Sequence, residues 1–400
     1  SMYTHNVSAT QSTTELNTAY GFSAMDAITT GDNNTALGFA AGGAINSGSD
    51  NVAIGAYAGD ALDTGTKNVA IGVQSLSKEN TGSRNVAVGY QALLQLDYNG
   101  EGYNVAVGSN AGENVSSGVQ NTLIGGLAGD ALTTGQANAA LGYRALSSSV
   151  DGNHNTAIGC TALEDYEGGD GEGHNTAIGS LSQSNATTGE FNTSLGTLAM
   201  GVGITTGDHN TVLGYNSGVS LTSGAENMLI GSFAGDALTS GTRNIAIGYA
   251  ALSTEDGNGL NTAIGYQALK VQNAGANAEN VAVGYNAGAA VTTGVQNTII
   301  GGSAGDGISL GANNVALGYL SLSAVNAGSK SVAIGSGALQ IQTPQFTNTT
   351  CILTNTDATV TVDATSAIKV GMAISGTGVP SGTTVASVNS STVTSFEMSA

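Results

Sequence analysis

The chain has 400 residues, 28 of them acidic and 8 basic, for a formal net charge of −20, and no Lys/Arg cluster stands anywhere along it. Nucleic acid is therefore an unfavourable partner. Gly is 61 of 400, Pro 2, Trp absent, and charged residues make up 9% against 40% hydrophobic, which excludes both a charge-rich disordered chain and an ordinary globular enzyme. No apolar run approaches the length of a membrane span, so no membrane insertion is expected.

Residues 1–16 form an N-terminal lead-in whose Ser1-Met2 opening is expected to be a vector remnant, not a signal peptide. From Asn17 onward one phrase is written nineteen times: Asn, a β-branched or small residue, usually Ala, an aliphatic residue, then Gly, as in Asn51-Val52-Ala53-Ile54-Gly55. Most copies begin 17 residues after the last, with occasional insertions of one to three, and the final one begins at Ser331. Residues 17–343 thus form one array. A unit this short cannot close its own core, so each copy is expected to be one coil of an all-β parallel β-roll or solenoid of about 19 coils.

Within the coil, position five is Gly in all nineteen copies, including Gly55, Gly72, Gly89, Gly125, Gly248 and Gly265. The 17-residue coils add a second Gly near position fifteen, such as Gly65, Gly82, Gly118, Gly135 and Gly241. Two fixed glycines imply two structural corners, made by positive φ or by backbones in close approach. Position four is Ile, Leu or Val in eighteen copies and is expected to be a buried aliphatic stack. Strand alternation then puts the mostly Ala position three on the opposite face, narrow enough to pack against another chain. Position one is Asn in eighteen copies, suited to a hydrogen-bonded side-chain ladder or to a simple turn. About two strands per coil are expected.

Positions eight and nine come in two kinds, Ala-Gly or Ser-Gly (Ala58-Gly59, Ala128-Gly129, Ser217-Gly218) and Ala-Leu or Ser-Leu (Ser75-Leu76, Ala92-Leu93, Ala268-Leu269), arranged in pairs. The order of coils 34–155 returns 176 residues later, as in Ala58-Gly59-Asp60-Ala61-Leu62 against Ala234-Gly235-Asp236-Ala237-Leu238. The array is a tandem duplication with units of about 17–191 and 192–343.

Phrases such as Asn261-Thr262-Ala263-Ile264-Gly265-Tyr266-Gln267-Ala268-Leu269 resemble the head repeats of trimeric autotransporter adhesins such as YadA, and more closely those of bacteriophage tail-fibre proteins. The resemblance covers about four fifths of the chain. It implies a left-handed parallel β-roll that trimerises side by side, although this coil is about three residues longer than the usual adhesin coil. It further implies a non-enzymatic virion tail-fibre segment that partners itself, other virion tail proteins and a host-cell receptor, a glycan or a protein. The bacterial cell-surface adhesin head binding host matrix is the alternative, and a polysaccharide-degrading tailspike the alternative of a different class.

Residues 344–400 leave the repeat and turn Thr-, Val- and Ser-rich. Alternation over Ala358–Val362 and a Gly/Pro turn within Gly371–Val385 predict a small C-terminal β module. Its Gly-Thr-Gly-Val-Pro phrase resembles phrases of phage virion proteins.

Chemistry is sparse. Gly125-Gly126-Leu127-Ala128-Gly129 lacks the Lys-Ser/Thr of a phosphate loop. Cys160 and Cys351, 191 residues apart, suggest neither a disulfide framework nor a zinc site. No cofactor and no catalytic residue is expected. Candidate metal ligands are His154 and His174, before consecutive repeat Asn residues, and Asp60 and Asp236 at one coil position, shared by Asp130 and Asp306; surface corner residues are the plainer reading. Glu164, Asp165, Glu167, Asp170 and Glu172 make an acidic insertion read as a solvated loop. Tyr recurs at position six, at Tyr90, Tyr143, Tyr249, Tyr266 and Tyr319 among others, where it either contacts glycan or packs between chains.

Overall fold

The computed structural model of the chain describes residues 16–167, 173–323 and 328–340, and four later strands. The lead-in up to residue 15, the expected Gly/Pro turn over residues 371–384, and Asp170 and Glu172 of the acidic insertion lie outside the described residues. The chain divides into Ser1–Ala338 and Leu339–Ala400, a few residues before the end expected for the array.

Every copy of the phrase makes one three-residue strand from its positions two to four, the first Thr18–Tyr20 and the last Val332–Ile334, and no helix occurs among the described residues. Each strand pairs in parallel with the next, Ala53 opposite Ala70 and Ala70 opposite Ala87, so that nineteen strands build one sheet. The longer steps keep the register. Val86–Val88 pairs with Val105–Val107 across a 19-residue step, and Thr156–Ile158 with Thr176–Ile178 across a 20-residue step. Isolated bridges, Ser83 to Glu101 and Asn153 to Gly173, return each inserted loop to register before the next Asn. At about 4.8 Å per coil the array extends roughly 90 Å.

The structure corrects the expectation of two strands per coil. After the corner glycine the chain turns instead of extending, because positions seven, nine and seventeen sit at positive φ even with ordinary side chains, as at Gln74 (57°), Leu76 (50°) and Arg84 (66°). A non-Gly residue there carries a backbone penalty, which persists only where surrounding bonds over-determine it. Those bonds run between coils: the Gly59 amide donates to the Ser75 carbonyl and the Leu76 amide to the Ala92 carbonyl, both at 2.9 Å.

The two faces of the sheet are also the reverse of expectation. Position three faces inward, with Ala53, Ala70, Ala87 and Ala106 fully buried, while positions two and four are half-buried or exposed. The cause is space. Positions eight, nine and twelve of the same coil already fill the interior, for example Ala92, Leu93 and Leu96, and leave room for a methyl group at most positions three. A thin coil puts its small residue inside and its β-branched or aliphatic positions two and four outside.

This packing explains the two kinds of coil. Where position nine is Gly, position twelve is a large aliphatic residue that occupies the vacated volume: a Cβ on Gly59 would lie 2.8 Å from Leu62 Cδ1, and one on Gly42 would lie 2.7 Å from Ile45 Cδ1. Where position nine is Leu, position twelve is free to be polar, as with Leu76 and Glu79, Leu146 and Ser149, or Leu252 and Glu255, all buried. In these coils core volume is shared between two positions, whereas coils with a longer inserted loop hold large residues at both, as Leu93 with Leu96 and Leu163 with Tyr166.

Position one closes the coil. The Asn121 Nδ2 donates to the Gly135 carbonyl at the end of its own coil (2.8 Å), while its Oδ1 accepts the Asn138 amide of the next coil (3.0 Å) and the Asn138 Nδ2 (3.1 Å). The same pattern recurs at Asn51 and Asn227, and the side chains are buried from Asn34 to Asn314. Each Asn is both a clasp and a ladder rung.

Near the C-terminus the four later strands pair antiparallel in the order Cys351–Leu353, Thr359–Val362, Ser395–Met398, Val385–Val388.

Candidate interaction surfaces

The outward face of the long sheet carries positions two and four. Leu37, Leu141, Leu195, Leu213 and Leu317 are more than two-fifths exposed there, beside half-buried Val52, Ile54, Val69 and Ile71. Two residues of strand width along nineteen coils give a band about 7 Å wide and roughly 90 Å long. Position two is mostly Val, Ile or Thr, but the aliphatic column at position four runs the length of the band and exceeds what isolated surface residues explain.

Beside it, position six and the adjoining position seven carry exposed rings. Tyr215, Phe233, Tyr249, Tyr266 and Tyr285 form an unbroken run on five consecutive coils, with ring centroids 5.5, 5.8, 5.4 and 5.1 Å apart. Tyr249, Tyr266 and Tyr285 stack face on face, with interplanar angles of 13° and 9°. Tyr266 is thereby covered on both faces, while Tyr285, followed by Gly302 at position six of the next coil, keeps its outer face free of a stacked ring. A sugar ring packs on an aromatic face, so this run offers it less than the number of tyrosines implies. The duplicated positions of the first unit keep rings only at Phe39 and Tyr57 before Val73 interrupts them, with Phe22 of the first coil stacked on Phe39. Tyr90 and Tyr319 are half or more exposed. Tyr143, 54% exposed, lies over Gly126 of the preceding coil, where a Cβ would meet its ring at 3.7 Å.

A second column occupies position seventeen. His154 stacks on His174 (4.8 Å, 17°), His174 on Phe191 (5.0 Å, 7°) and Phe191 on His209 (5.1 Å, 12°). Parallel stacking sends the in-plane lone pairs of His154 and His174 side by side instead of towards one point, and no group of three or more metal-ligating side chains occurs among the described residues. Sequence reasoning isolated His154 and His174 but missed Phe191, although it too immediately precedes a repeat Asn. The same column holds ion pairs: Arg84 Nε to Glu101 at 2.8 Å and Arg243 Nε to Glu226 at 2.7 Å. The Tyr103 hydroxyl donates to Glu101 at 2.5 Å, and the Arg84 guanidinium lies 5.5 Å from the Tyr103 ring centre. The Tyr103 hydroxyl, then Arg84, hold the Glu101 carboxyl below its ordinary range.

The position-ten aspartates sit in the turn that follows the corner glycine. Asp60 accepts the Ser77 hydroxyl at 2.6 Å. Asp130, Asp236 and Asp306 each enclose an Oδ1 with no partner from another side chain, and burial pushes their carboxyls up. The corner glycines take φ between 131° and 141° at Gly55, Gly72, Gly89, Gly125, Gly248 and Gly265. A Cβ on Gly125 would lie 2.3 Å from the Gly142 carbonyl oxygen. Position-fifteen glycines such as Gly118 are held by close approach alone, with a Cβ 2.3 Å from the Gly135 carbonyl oxygen.

Two buried carboxylates escaped the sequence reading, Glu79 and Glu255, although they stand one duplication length apart. Glu79 accepts the Gly82 amide at 2.6 Å and the Tyr98 amide at 3.4 Å. Burial pushes its carboxyl above the ordinary value, and those two amides oppose the rise. Glu255 accepts the backbone and side-chain amides of Asn258 at 3.0 and 2.8 Å. Cys160 is free and exposed. No helix among the described residues is long and apolar enough to cross a membrane. Compared with known protein families, curated proteins and solved structures, the chain matches none of them.

Proposed function

We propose that the chain is a structural, non-enzymatic segment of a phage tail fibre, in which three copies associate side by side along the outward sheet face. The resulting rod holds or forms a surface for a host-cell receptor. The observation that supports this reading is the outward column at position four, aliphatic in every strand after Tyr20 and flanked at position two mostly by Val, Ile or Thr. Burying it between copies removes apolar area from water at about 25 cal/mol per Å². A symmetric closed assembly buries it on every copy equally. The Ala face, expected from the sequence to meet the neighbouring chain, is replaced in this role by the aliphatic one.

Sedimentation equilibrium tests the assembly: the expected mass is three times the 39.2 kDa of one chain, and a stable monomer refutes it. Ile54→Asp with Ile158→Asp, both on the outward face, should dissociate the assembly with the coils intact. Release of reducing sugar from capsule or lipopolysaccharide would overturn the non-enzymatic part, and failure of the assembled rod to adsorb to any bacterial envelope would overturn receptor attachment.

A further inference from the structure

One place on the array combines a pocket, an unstacked ring and charge. Between coils 121 and 138 lies a surface pocket of about 410 Å³ lined by Leu127, Asp130, Tyr143, Arg144, Ser147 and Ser148, within the roughly 300–1,000 Å³ of small-ligand sites. Tyr143 is without a stacked ring neighbour because position six of the preceding coil is Gly126 and of the following coil Cys160, so a ring face remains open. Arg144 is anchored by Glu164 of the next coil at 2.9 Å and stays half-exposed. At the floor, Ser147 is 7% exposed and its hydroxyl has no hydrogen-bond partner, nor has the enclosed Oδ1 of Asp130. At one such pair the positions close on themselves, Ser77 donating to Asp60, whereas Asp236 and Asp306 keep an enclosed Oδ1 unpartnered, as Asp130 does.

The duplication supplies an internal comparison. The positions 176 residues on keep Asp306, Tyr319 and Ser323, but Arg144 becomes Leu320, Leu127 becomes Ser303 and Glu164 becomes Gln340. The charged pair that walls the pocket belongs to the first unit alone.

We infer that this pocket binds a terminal neutral pyranose of a host-surface glycan. Tyr143 supplies the stacking face, Arg144 donates to hydroxyls of the sugar, and the half-buried Asp130 accepts from them through the carboxylate oxygen that is not enclosed. The ligand is neutral because Asp130 and Glu164 outweigh Arg144 by one negative charge within a chain of net charge −20, which repels sialic and uronic acids. An aromatic face with a few convergent polar groups is the combination that orients a sugar. The inference rests on the receptor-attachment reading for its biological setting, not for its binding chemistry.

Saturation-transfer NMR on the full chain tests it, with the methyl glycosides of glucose, galactose, mannose and N-acetylglucosamine as probes and N-acetylneuraminic and glucuronic acids as controls. At least one neutral glycoside should bind. Arg144→Leu, which installs the residue its counterpart carries, and Asp130→Asn should each weaken it by roughly tenfold or more, the usual consequence of losing a charged hydrogen-bond partner. Far-ultraviolet circular dichroism should stay unchanged in both. Absence of binding to all four, unchanged binding in both variants, or preference for the acidic sugars overturns the pocket. If the full chain nevertheless adsorbs to bacterial envelopes, receptor attachment stands and only the pocket falls; if the glycoside binds but no envelope does, the reverse holds.

Discussion

Asn121→Ala tests the clasp that closes each coil. The substitution removes the acceptor of the Asn138 amide (3.0 Å) and the donor to the Gly135 carbonyl (2.8 Å), while the Asn138 Nδ2 keeps its bond to the Gly152 carbonyl at 2.8 Å. Two buried backbone groups are left unpaired, each costing about 1–3 kcal/mol, so the local loss is about 2–6 kcal/mol. A coil touches only its neighbours, so the damage should be local and a single global melting curve is the wrong measure. Hydrogen exchange resolves it: protection of the Asn138 amide should fall by at least about thirtyfold, the lower end of that range. Coils beyond 104 and 155 should keep their rates. A loss of protection below about threefold, or one spread evenly over the array, would refute the clasp as the element that holds a coil shut.

Two further perturbations address the interior. Gly129→Leu installs at position nine a residue that other coils hold there at positive φ, but its side chain must enter volume held by Leu132 and Leu123, whose methyl carbons lie 2.9 and 2.8 Å from the added Cβ. Overfilling should cost about 1–3 kcal/mol, and adding Leu132→Ala should return part of it, a favourable coupling in a double-mutant cycle by urea denaturation; strict additivity would refute the shared-volume account. Glu79→Gln addresses pH. Burial raises the Glu79 carboxyl above 4.5, so the stability drawn from its protonated form is complete below 4.5 and is lost as pH climbs through the raised value. The variant lacks that fall and should gain on the parent chain as pH rises from below 4.5 to neutrality, read by denaturation at each pH. A difference that does not change with pH would refute a strained ionised Glu79.

The solenoid was legible because its determinants are periodic: Gly at position five and Asn at position one each answer one backbone requirement that every coil repeats. The orientation of the strand was not. Alternation states that Ala53 and Ile54 face opposite ways, but which side is inside depends on how much volume Ala58, Leu62 and their neighbours already take, and that is known only once the turn after Gly55 is folded. The missing second strand has a similar origin. Gln74 and Leu76 carry no mark of a left-handed backbone, which inter-coil hydrogen bonds impose on them. Of the candidate sites, the recurrence of Tyr at position six could be read off, whereas the stacking that covers Tyr266 and leaves Tyr143 open depends on residues at the same position one coil away, Tyr285 in one case and Gly126 in the other.

The duplication separates what the coil needs from what it is free to change. Interior positions mostly exchange like for like, Leu123 with Ile299 and Leu132 with Ile308, since each coil must fit its two neighbours; where buried Leu96 becomes Gln272, the new amide oxygen accepts from Asn280 Nδ2 at 2.9 Å. Outward positions change in kind, Val73 to Tyr249, Ser109 to Tyr285 and Arg144 to Leu320. Copying therefore extends the scaffold at constant cross-section while its side walls diverge. One unit carries an anchored Arg144 and the His154–His174 stack; the other carries the ring run from Tyr215 to Tyr285. Two such walls on one rigid array present different chemistry at heights fixed by coil number. Under the proposed function, a surface bearing many receptor groups would be engaged at several points, where effective concentration makes weak individual contacts cumulative. Recognition would then come from the outward residues at positions six, seven, ten and seventeen, with the recurrent Asn and Gly setting only their spacing.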